Sequence, residues 1–248
     1  MTFSPPKAAR LNQVQLLVIH QVLDSSAKYE IAYERLRGLV GAVDFVVSDL
    51  KGLSLSRNLA IRNAKTKYII FSDDDNGYVD DLVQVCERSL KAYPGFQLLS
   101  FQIHDEKGFP FKEYSDVAHP FTLRSGLRLS SIEFLVDREF LIDHSVMFDE
   151  DFGLGALYPS CEQPIFLADL LRAGGQAQYL PIPFAYHPKE NSGDDFYTEL
   201  NALARVNMFR KVFGPRVGRL FAVIFALKKL RAVPSGFRAA FLKRMIVG

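Results

Sequence analysis

Residues 52–75 read GLSLSRNLAIRNAKTKYIIFSDDD: a helical pattern, a short apolar strand and three consecutive aspartates. Asp73, Asp74 and Asp75 follow the strand that we predict at 68–71 after one intervening residue, Ser72, and ligands of an open α/β sheet bind beyond the carboxyl ends of its strands. Carboxylates placed together there repel each other by about 4 kcal/mol per pair at about 4 Å and an effective dielectric constant of roughly 20. A divalent cation cancels that cost, and oxygen ligands suit Mg²⁺ or Mn²⁺. The triplet therefore predicts a cation site, with a solvated acidic turn before the next helix as the alternative.

The helical half of this stretch carries a candidate anion-binding side chain. Gly52, two serines and Arg57 occupy the start of the helix predicted at 53–64. The exposed amide groups of a helix amino terminus and a nearby arginine together attract anions. Arg57 is thus a candidate ligand for a phosphate group, although the serines can equally be simple helix caps.

Strand and helix patterns alternate on both sides of this stretch. Apolar or β-branched runs predict strands, and helically spaced apolar residues predict the helices between them. The predicted strands cover 14–19, 43–47, 68–71, 96–103, 132–136 and 178–186, and the predicted helices 29–39, 53–64, 82–92 and 164–173. Residues 107–125, with two prolines, predict a loop or a small antiparallel excursion. The predicted fold class is therefore α/β, with a mainly parallel sheet flanked by helices.

The stretch at 52–75 resembles the family 2 glycosyltransferases of the GT-A fold, in which a G-x-S-x-x-RN helix precedes a strand that ends in a DxD metal motif. A second block, FDEDFGLG at 148–155 followed by Cys161-Glu162-Gln163, is similar to the acceptor-side segment of the same family. The resemblance extends over about residues 14–211. It implies a single GT-A-like domain at 1–213 with a nucleotide-binding sheet, followed by a basic helical tail at 214–248.

The motif positions imply roles for individual residues. The two aspartates of the DxD motif and a histidine late in the chain imply a metal site made of Asp73, Asp75 and His187. Residues implied to bind the nucleotide sugar are Asp49, Arg57, Asp73, Asp74 and Lys189. Asp44 is the alternative to Asp49, which we favour because it lies at the carboxyl end of its strand.

Glu162 is implied to be the general base of an inverting transfer, in which it takes the proton of the acceptor hydroxyl as that oxygen attacks the anomeric carbon. The family often has a second acid after this glutamate, but Gln163 stands there, and Cys161 replaces the usual preceding glycine. Glu162 can alternatively be a helix amino-terminal carboxylate that interacts with the helix dipole. A catalytically silent module that binds a sugar nucleotide or an acceptor therefore stays a second hypothesis.

A nucleotidyltransferase would also combine an α/β sheet with acid-bound Mg²⁺, but it normally has a glycine-rich phosphate loop near its first strand. Residues 14–26 contain no glycine, which counts against that class. The resemblance instead implies a hexosyltransferase that uses Mn²⁺ or Mg²⁺ and a nucleotide sugar, with a UDP-sugar favoured. Its acceptor is expected to be a glycan or lipid-linked hydroxyl, as in the synthesis of bacterial surface polysaccharide.

The last 48 residues carry the charge asymmetry of the chain. Residues 201–248 hold eleven Lys or Arg and no acid, whereas the preceding part holds 19 basic and 28 acidic residues. The apolar run at 220–227 is bordered by basic residues, and Phe237, Phe241 and Met245 follow at helical spacing. This pattern predicts a pair of basic amphipathic helices on an anionic membrane surface, with ordinary packing on the domain as the alternative.

Neither the start of the chain nor its longest apolar run predicts a membrane-spanning segment. Residues 1–10 lack the apolar core of a secretory signal, and the run at 220–227 is far shorter than the roughly 20 residues that span a bilayer. We therefore expect a cytoplasmic protein that associates peripherally with the inner face of the membrane. The basic tail contains no recognised reading module, so no nucleic-acid partner is expected.

Overall fold

The computed structural model describes residues 14–22, 29–39, 42–73, 75–105, 107–187 and 196–247. Its strands are β1 Leu16–Gln21, β2 Val43–Ser48, β3 Tyr68–Ile70, β4 Gly77–Tyr78, β5 Leu98–His104, β6 His119–Pro120, β7 Phe134–Asp137 and β8 Ala177–Tyr186. Its helices are α1 Glu30–Leu39, α2 Leu53–Asn63, α3 Leu82–Ala92, α4 Arg138–Asp143, α5 Glu162–Arg172, α6 Glu199–Phe213, α7 Pro215–Lys229 and α8 Arg238–Val247. Each strand and helix predicted from the sequence is present, within a few residues of its predicted bounds.

Two sheets carry the strands. β1 and β2 pair in parallel, and the second sheet has the order β3-β7-β5-β8-β4, with β6 also beside β8. Both β3 and β5 run antiparallel to β7, while β8 runs parallel to β5. The strands β3, β5 and β8 therefore point in one direction, and their carboxyl ends lie at one edge. The predicted α/β class is confirmed, and the second sheet is mixed because the short strands β4, β6 and β7 run against the other three.

Apolar residues cover both faces of the second sheet. Along β5, Leu98 joins a cluster with residues of α2, α4 and α5, whereas Leu99 and Phe101 join a cluster with residues of α3. This alternation follows from the two-residue period of a strand. The first cluster includes the stacked rings of Phe148 and Phe166, whose centroids lie 4.2 Å apart. Helices thus cover the sheet on both sides, as in other layered α/β domains.

The C-terminal helices form a third apolar cluster with α5. Buried members from α6, α7 and α8 include Ala202, Val206, Phe209, Ala222, Ala226, Phe241 and Met245. Gly218 of α7 lies so close to α6 that a Cβ atom there would be 2.3 Å from the Phe209 carbonyl oxygen. The tail predicted at 214–248 begins at Gly214, between α6 and α7, and contains both α7 and α8. Within the described residues, no helix combines the length and apolar character needed to cross a bilayer.

Candidate active site

The carboxyl ends of β3, β5 and β8 bring candidate metal ligands together. Asp73 and Asp75 lie in the loop between β3 and β4, and His187 directly follows β8. The Nε2 atom of His187 lies 3.5 Å from Asp75 Oδ1. The backbone amide of His187 donates to the carbonyl of His104 at the end of β5. The structure thus places Asp75 and His187 side by side, with Asp73 two positions away on the same loop.

These side chains match the donor types of a Mg²⁺ or Mn²⁺ site. Carboxylate oxygens suit both cations, and imidazole is a common metal ligand. In the part of the chain that the structure describes, no three His, Cys, Asp or Glu side chains form a complete ligand group. However, Mg²⁺ is usually held by one or two carboxylates together with substrate phosphates. The residues present therefore fit a cation that shares its ligands between the protein and a bound diphosphate.

Arg57 connects the aspartate loop to the first residue of α5. The arginine is 5% exposed, and its Nη2 atom lies 3.8 Å from Asp73 Oδ1. Its Nη1 atom donates to Glu162 Oε1 at 2.9 Å. The centroid of the Phe148 ring lies 5.4 Å from the guanidinium carbon. One buried cation is therefore held between two carboxylates that come from distant parts of the sequence.

Glu162 begins α5 and is 3% exposed. Cys161 before it adopts the left-handed conformation, with φ of 79°, which glycine adopts without steric cost. The glycine that the resemblance places at position 161 thus has a conformational reason, although cysteine occupies it in this chain. Arg57 and Gln163 both donate to Glu162 Oε1. No described residue donates a hydrogen bond to Oε2, so the carboxylate is anchored through one oxygen only.

Asn58 joins the acceptor-side segment to α2. Its side-chain amide donates to the Phe148 carbonyl at 2.9 Å, and its Oδ1 atom accepts from the Phe148 amide at 2.8 Å. It also donates to Glu150 Oε1 at 2.9 Å, and Ser54 Oγ donates to the Phe152 carbonyl nearby. The arginine of the RN pair therefore holds Glu162, while the asparagine holds the segment that leads to it. The sequence prediction assigned no role to Asn58, and its place in the RN pair was the only available signal.

Several solved structures are similar to this chain, whereas no protein-family model and no curated protein matches it. S. aureus TarS 1-349 in complex with UDP-GlcNAc aligns over 95% of this chain and 73% of that chain, with a TM-score of 0.60 and 15% identity. GalNAc-T7 with UDP, GalNAc and Mn²⁺ aligns over 93% of this chain and 48% of that chain, with a TM-score of 0.60 and 12% identity. The mannosyltransferase PcManGT from Pyrobaculum calidifontis, in complex with GDP-Man and Mn²⁺, aligns over 94% and 76%, with a TM-score of 0.54 and 14% identity.

The chain has the GT-A fold. The likeness is one of fold, because the sequence identities lie between 12% and 15%. The chain spans 38% of the longer TarS structure.

Two acidic residues were candidates for the nucleotide site of this GT-A domain. Asp49 directly follows β2, at the edge where β1 also ends, whereas Asp44 lies near the amino end of β2. Asp44 forms a hydrogen-bonded ion pair with Lys65 at 2.8 Å. The hydrogen bond from Lys65 holds the pKa of Asp44 below its usual value. The structure therefore places Asp49, and not Asp44, at the carboxyl edge of the parallel pair β1–β2.

At the end of β1, the Gln21 side chain donates to the Gly52 carbonyl at 2.7 Å and accepts from the Gly52 amide at 3.3 Å.

Two other predicted donor ligands, Asp74 and Lys189, lie outside the described residues. Asp74 falls between Asp73 and Asp75, and Lys189 follows His187 by two positions. In the sequence, both residues therefore lie within two positions of a candidate metal ligand.

A cavity of about 600 Å³ near His187 was not predicted from the sequence. Its lining residues are Gln102, Pro110, Lys112, Glu113, Tyr114 and Asp116. Phe111, which lies between Pro110 and Lys112 in the sequence, makes an edge contact with the His187 ring at a centroid distance of 5.4 Å. Buried Glu133 accepts hydrogen bonds from Lys112 and Tyr114; burial raises the pKa of Glu133, and the Lys112 charge opposes that rise. The loop or excursion expected at 107–125 thus supplies five of the six residues that line this cavity.

Proposed function

We propose that the protein is an inverting, metal-dependent glycosyltransferase that moves a hexose from a nucleotide sugar to an acceptor hydroxyl. The observation that carries this proposal is the position of Arg57, which links the Asp73–Asp75 loop to the buried carboxylate of Glu162. Such a transfer needs charge that stabilises a departing diphosphate and a base for the attacking hydroxyl. The Asp73–Asp75 loop has carboxylates that suit a cation for the departing diphosphate, and Glu162 has a carboxylate that suits the base. Solved structures of the same fold that hold UDP, UDP-GlcNAc or GDP-Man support the proposal.

The donor would bind on the aspartate side of Arg57. Asp73, Asp75 and His187 are the proposed ligands of a divalent cation, and the structures of GalNAc-T7 and PcManGT contain Mn²⁺. When bound, the cation supplies positive charge that neutralises the departing nucleoside diphosphate. Residues proposed to contact the nucleotide sugar itself are Asp49, Arg57, Asp73, Asp74 and Lys189. We favour a UDP-sugar, in line with the UDP found in TarS and GalNAc-T7.

Glu162 is the proposed general base. Arg57 and Gln163 hold Oε1, which leaves Oε2 to accept the proton of the acceptor hydroxyl. The Gln163 amide takes up no proton at neutral pH, so its contribution is to orient the neighbouring carboxylate. A positioned base of this kind contributes about 10²–10⁴-fold to the rate.

A module that binds a sugar nucleotide without catalysis is the second candidate. The burial of Glu162 favours it, because a carboxylate that is 3% exposed and paired with Arg57 can have a purely structural role. Such a module would bind the nucleotide but would neither transfer nor hydrolyse the sugar. Turnover therefore separates the two candidates, whereas binding alone does not.

We further propose that the acceptor is a glycan or lipid-linked hydroxyl at the inner face of an anionic membrane, in the synthesis of bacterial surface polysaccharide. Support comes from the basic C-terminal helices, which share an apolar cluster with Phe152 and Cys161. Both residues belong to the acceptor-side segment, which also contains Glu162.

A thermal-shift screen with UDP, GDP, dTDP and CMP, each with and without Mn²⁺, tests the donor site. A ligand that binds only the folded protein raises its unfolding midpoint by mass action. We expect UDP to raise the midpoint and Mn²⁺ to increase that shift. The corresponding nucleotide sugars then enter a hydrolysis and transfer assay. No shift with any of the four nucleotides contradicts the proposal, and a shift without turnover supports the silent module.

A further inference from the structure

Helix α7 carries a line of exposed apolar side chains. Val217, Leu220, Ile224 and Leu227 are 49%, 59%, 40% and 64% exposed. Their spacing of three, four and three residues places them along one side of the helix. We call these four residues the α7 stripe. A contiguous exposed apolar surface of this kind marks an interaction site more often than a single exposed leucine does.

The α7 stripe is not part of the protein's own core. The buried residues of α7 are Gly218, Ala222 and Ala226, which repeat every four residues, and the two alanines join the cluster shared with α6. At about 100° per residue, this buried line and the α7 stripe lie on opposite sides of the helix. The close approach of Gly218 to the Phe209 backbone fixes that orientation. Packing on α6 therefore turns the stripe away from the domain.

Basic residues border the α7 stripe. Exposed members are Arg216, Arg219, Lys228 and Arg231. No acidic residue follows Glu199 in the sequence. The ion pairs of the described C-terminal helices, Lys211 with Asp149 and Arg244 with Glu199, use other side chains. The surface is thus apolar along its centre and positive along its borders.

We propose that the α7 stripe docks on an anionic phospholipid bilayer, with its apolar side chains at the acyl boundary and the bordering Arg and Lys side chains among the headgroups. Helices with an apolar side and basic flanks bind in the interface plane of a bilayer. Each basic side chain near an anionic surface increases the affinity by about fivefold. Charge favours lipid over a second copy of the chain, because two α7 helices face to face would bring their basic borders together.

This inference rests on the membrane association proposed above and names the surface responsible for it. The cluster that holds α7 also contains Phe152 and Cys161, and Cys161 directly precedes Glu162. Docking through α7 therefore connects the membrane contact to the acceptor side of the site by direct packing. A hydroxyl on a lipid-linked glycan is the acceptor class that this arrangement suits.

Vesicle flotation of the full chain tests the inference. Vesicles of phosphatidylcholine alone are compared with vesicles that also contain phosphatidylglycerol, at low and at high salt. The wild-type protein should float with the anionic vesicles and be released by salt, which screens the attraction to the headgroups. Leu220→Gln/Leu227→Gln should lower the partition coefficient at least about tenfold, because two inserted side chains are lost.

A matched control removes two exposed apolar side chains elsewhere on the surface. Ile31 and Val117 are 85% and 69% exposed, and Ile31→Gln/Val117→Gln should float like the wild type. Both double variants should keep the wild-type unfolding midpoint, since surface substitutions usually change stability by no more than about 0.5 kcal/mol.

Three outcomes would overturn the inference, each in a different way. If the wild-type protein ignores anionic vesicles at low salt, the membrane association itself is wrong, while the nucleotide shift still tests the donor site independently. If Leu220→Gln/Leu227→Gln floats like the wild type, the association stands but another surface carries it. If light scattering finds a wild-type dimer that the same variant converts to a monomer, a second copy of the chain covers the α7 stripe.

Discussion

Replacing Arg57 with methionine should destabilise the folded protein strongly, because it leaves the Glu162 carboxylate buried without its cation. The two residues are 5% and 3% exposed and are joined at 2.9 Å. Removing one partner of a buried ion pair costs about 3–5 kcal/mol. In a chain of this size each kcal/mol lowers the unfolding midpoint by about 2–4 °C, so we expect a fall on the order of 10 °C. Methionine keeps an apolar stem against Phe148, which limits the loss from packing.

A double-mutant cycle separates the ion pair from the arginine's other contacts. Arg57→Met/Glu162→Gln removes both charges, and it should recover much of the stability that Arg57→Met loses. The interaction energy between the two sites should reach at least about 1 kcal/mol, within the range found for residues in contact. Arg62→Met is the matched control, because Arg62 is an exposed arginine on the same helix.

Urea unfolding followed by circular dichroism measures these changes, with the slope against urea compared between variants to check that the unfolding transition is unchanged. A loss below about 1 kcal/mol for Arg57→Met is what an exposed pair would give, and it would refute the buried-pair reasoning. A double variant no more stable than Arg57→Met would refute it as well, because the lost stability would then come from packing.

Three further predictions concern the site and its support. Asp75→Ala should abolish transfer and remove the Mn²⁺ dependence of nucleotide binding, measured by titration calorimetry, because a cation ligand is lost; an unchanged response to Mn²⁺ contradicts the metal assignment. Glu162→Gln should lower the transfer rate at least about 100-fold, with donor affinity unchanged. An active Glu162→Gln enzyme points instead to an acid within 149–151. Asn58→Ala should cost about 2–4 kcal/mol in urea unfolding, since two backbone groups of the acceptor-side segment lose their buried partner, whereas Asn63→Ala on the exposed part of the same helix should cost little.

The order of helices and strands could be predicted from the sequence because local patterns determine it. The apolar run at 68–71 and the helical spacing at 53–64 lie within single elements, and β3 and α2 begin where those patterns begin. The placement of Asp73 and Asp75 at a sheet edge has the same origin, because a residue that follows a strand lies at its carboxyl end in any strand order. β4 has two residues, which is a single strand period, and α4 has six, which is fewer than two helical turns, so neither contains enough of its own period to be recognised.

The partners across the site were decided by the tertiary structure. Arg57 and Glu162 are 105 positions apart, and no local pattern states which of several acids a buried arginine will meet. That choice follows from the packing of α5 and α2 on the same face of the sheet, with Asn58 holding the segment between them.

For α7, the sequence determined that the tail is helical, basic and apolar, but not which side of the helix is buried. Both sides carry apolar residues, so the hydrophobic period alone does not choose between them. The close approach of Gly218 to the Phe209 backbone makes the choice, because a Cβ atom has no room there. The small side of α7 therefore faces α6, and Leu220 and Leu227 are left facing outward.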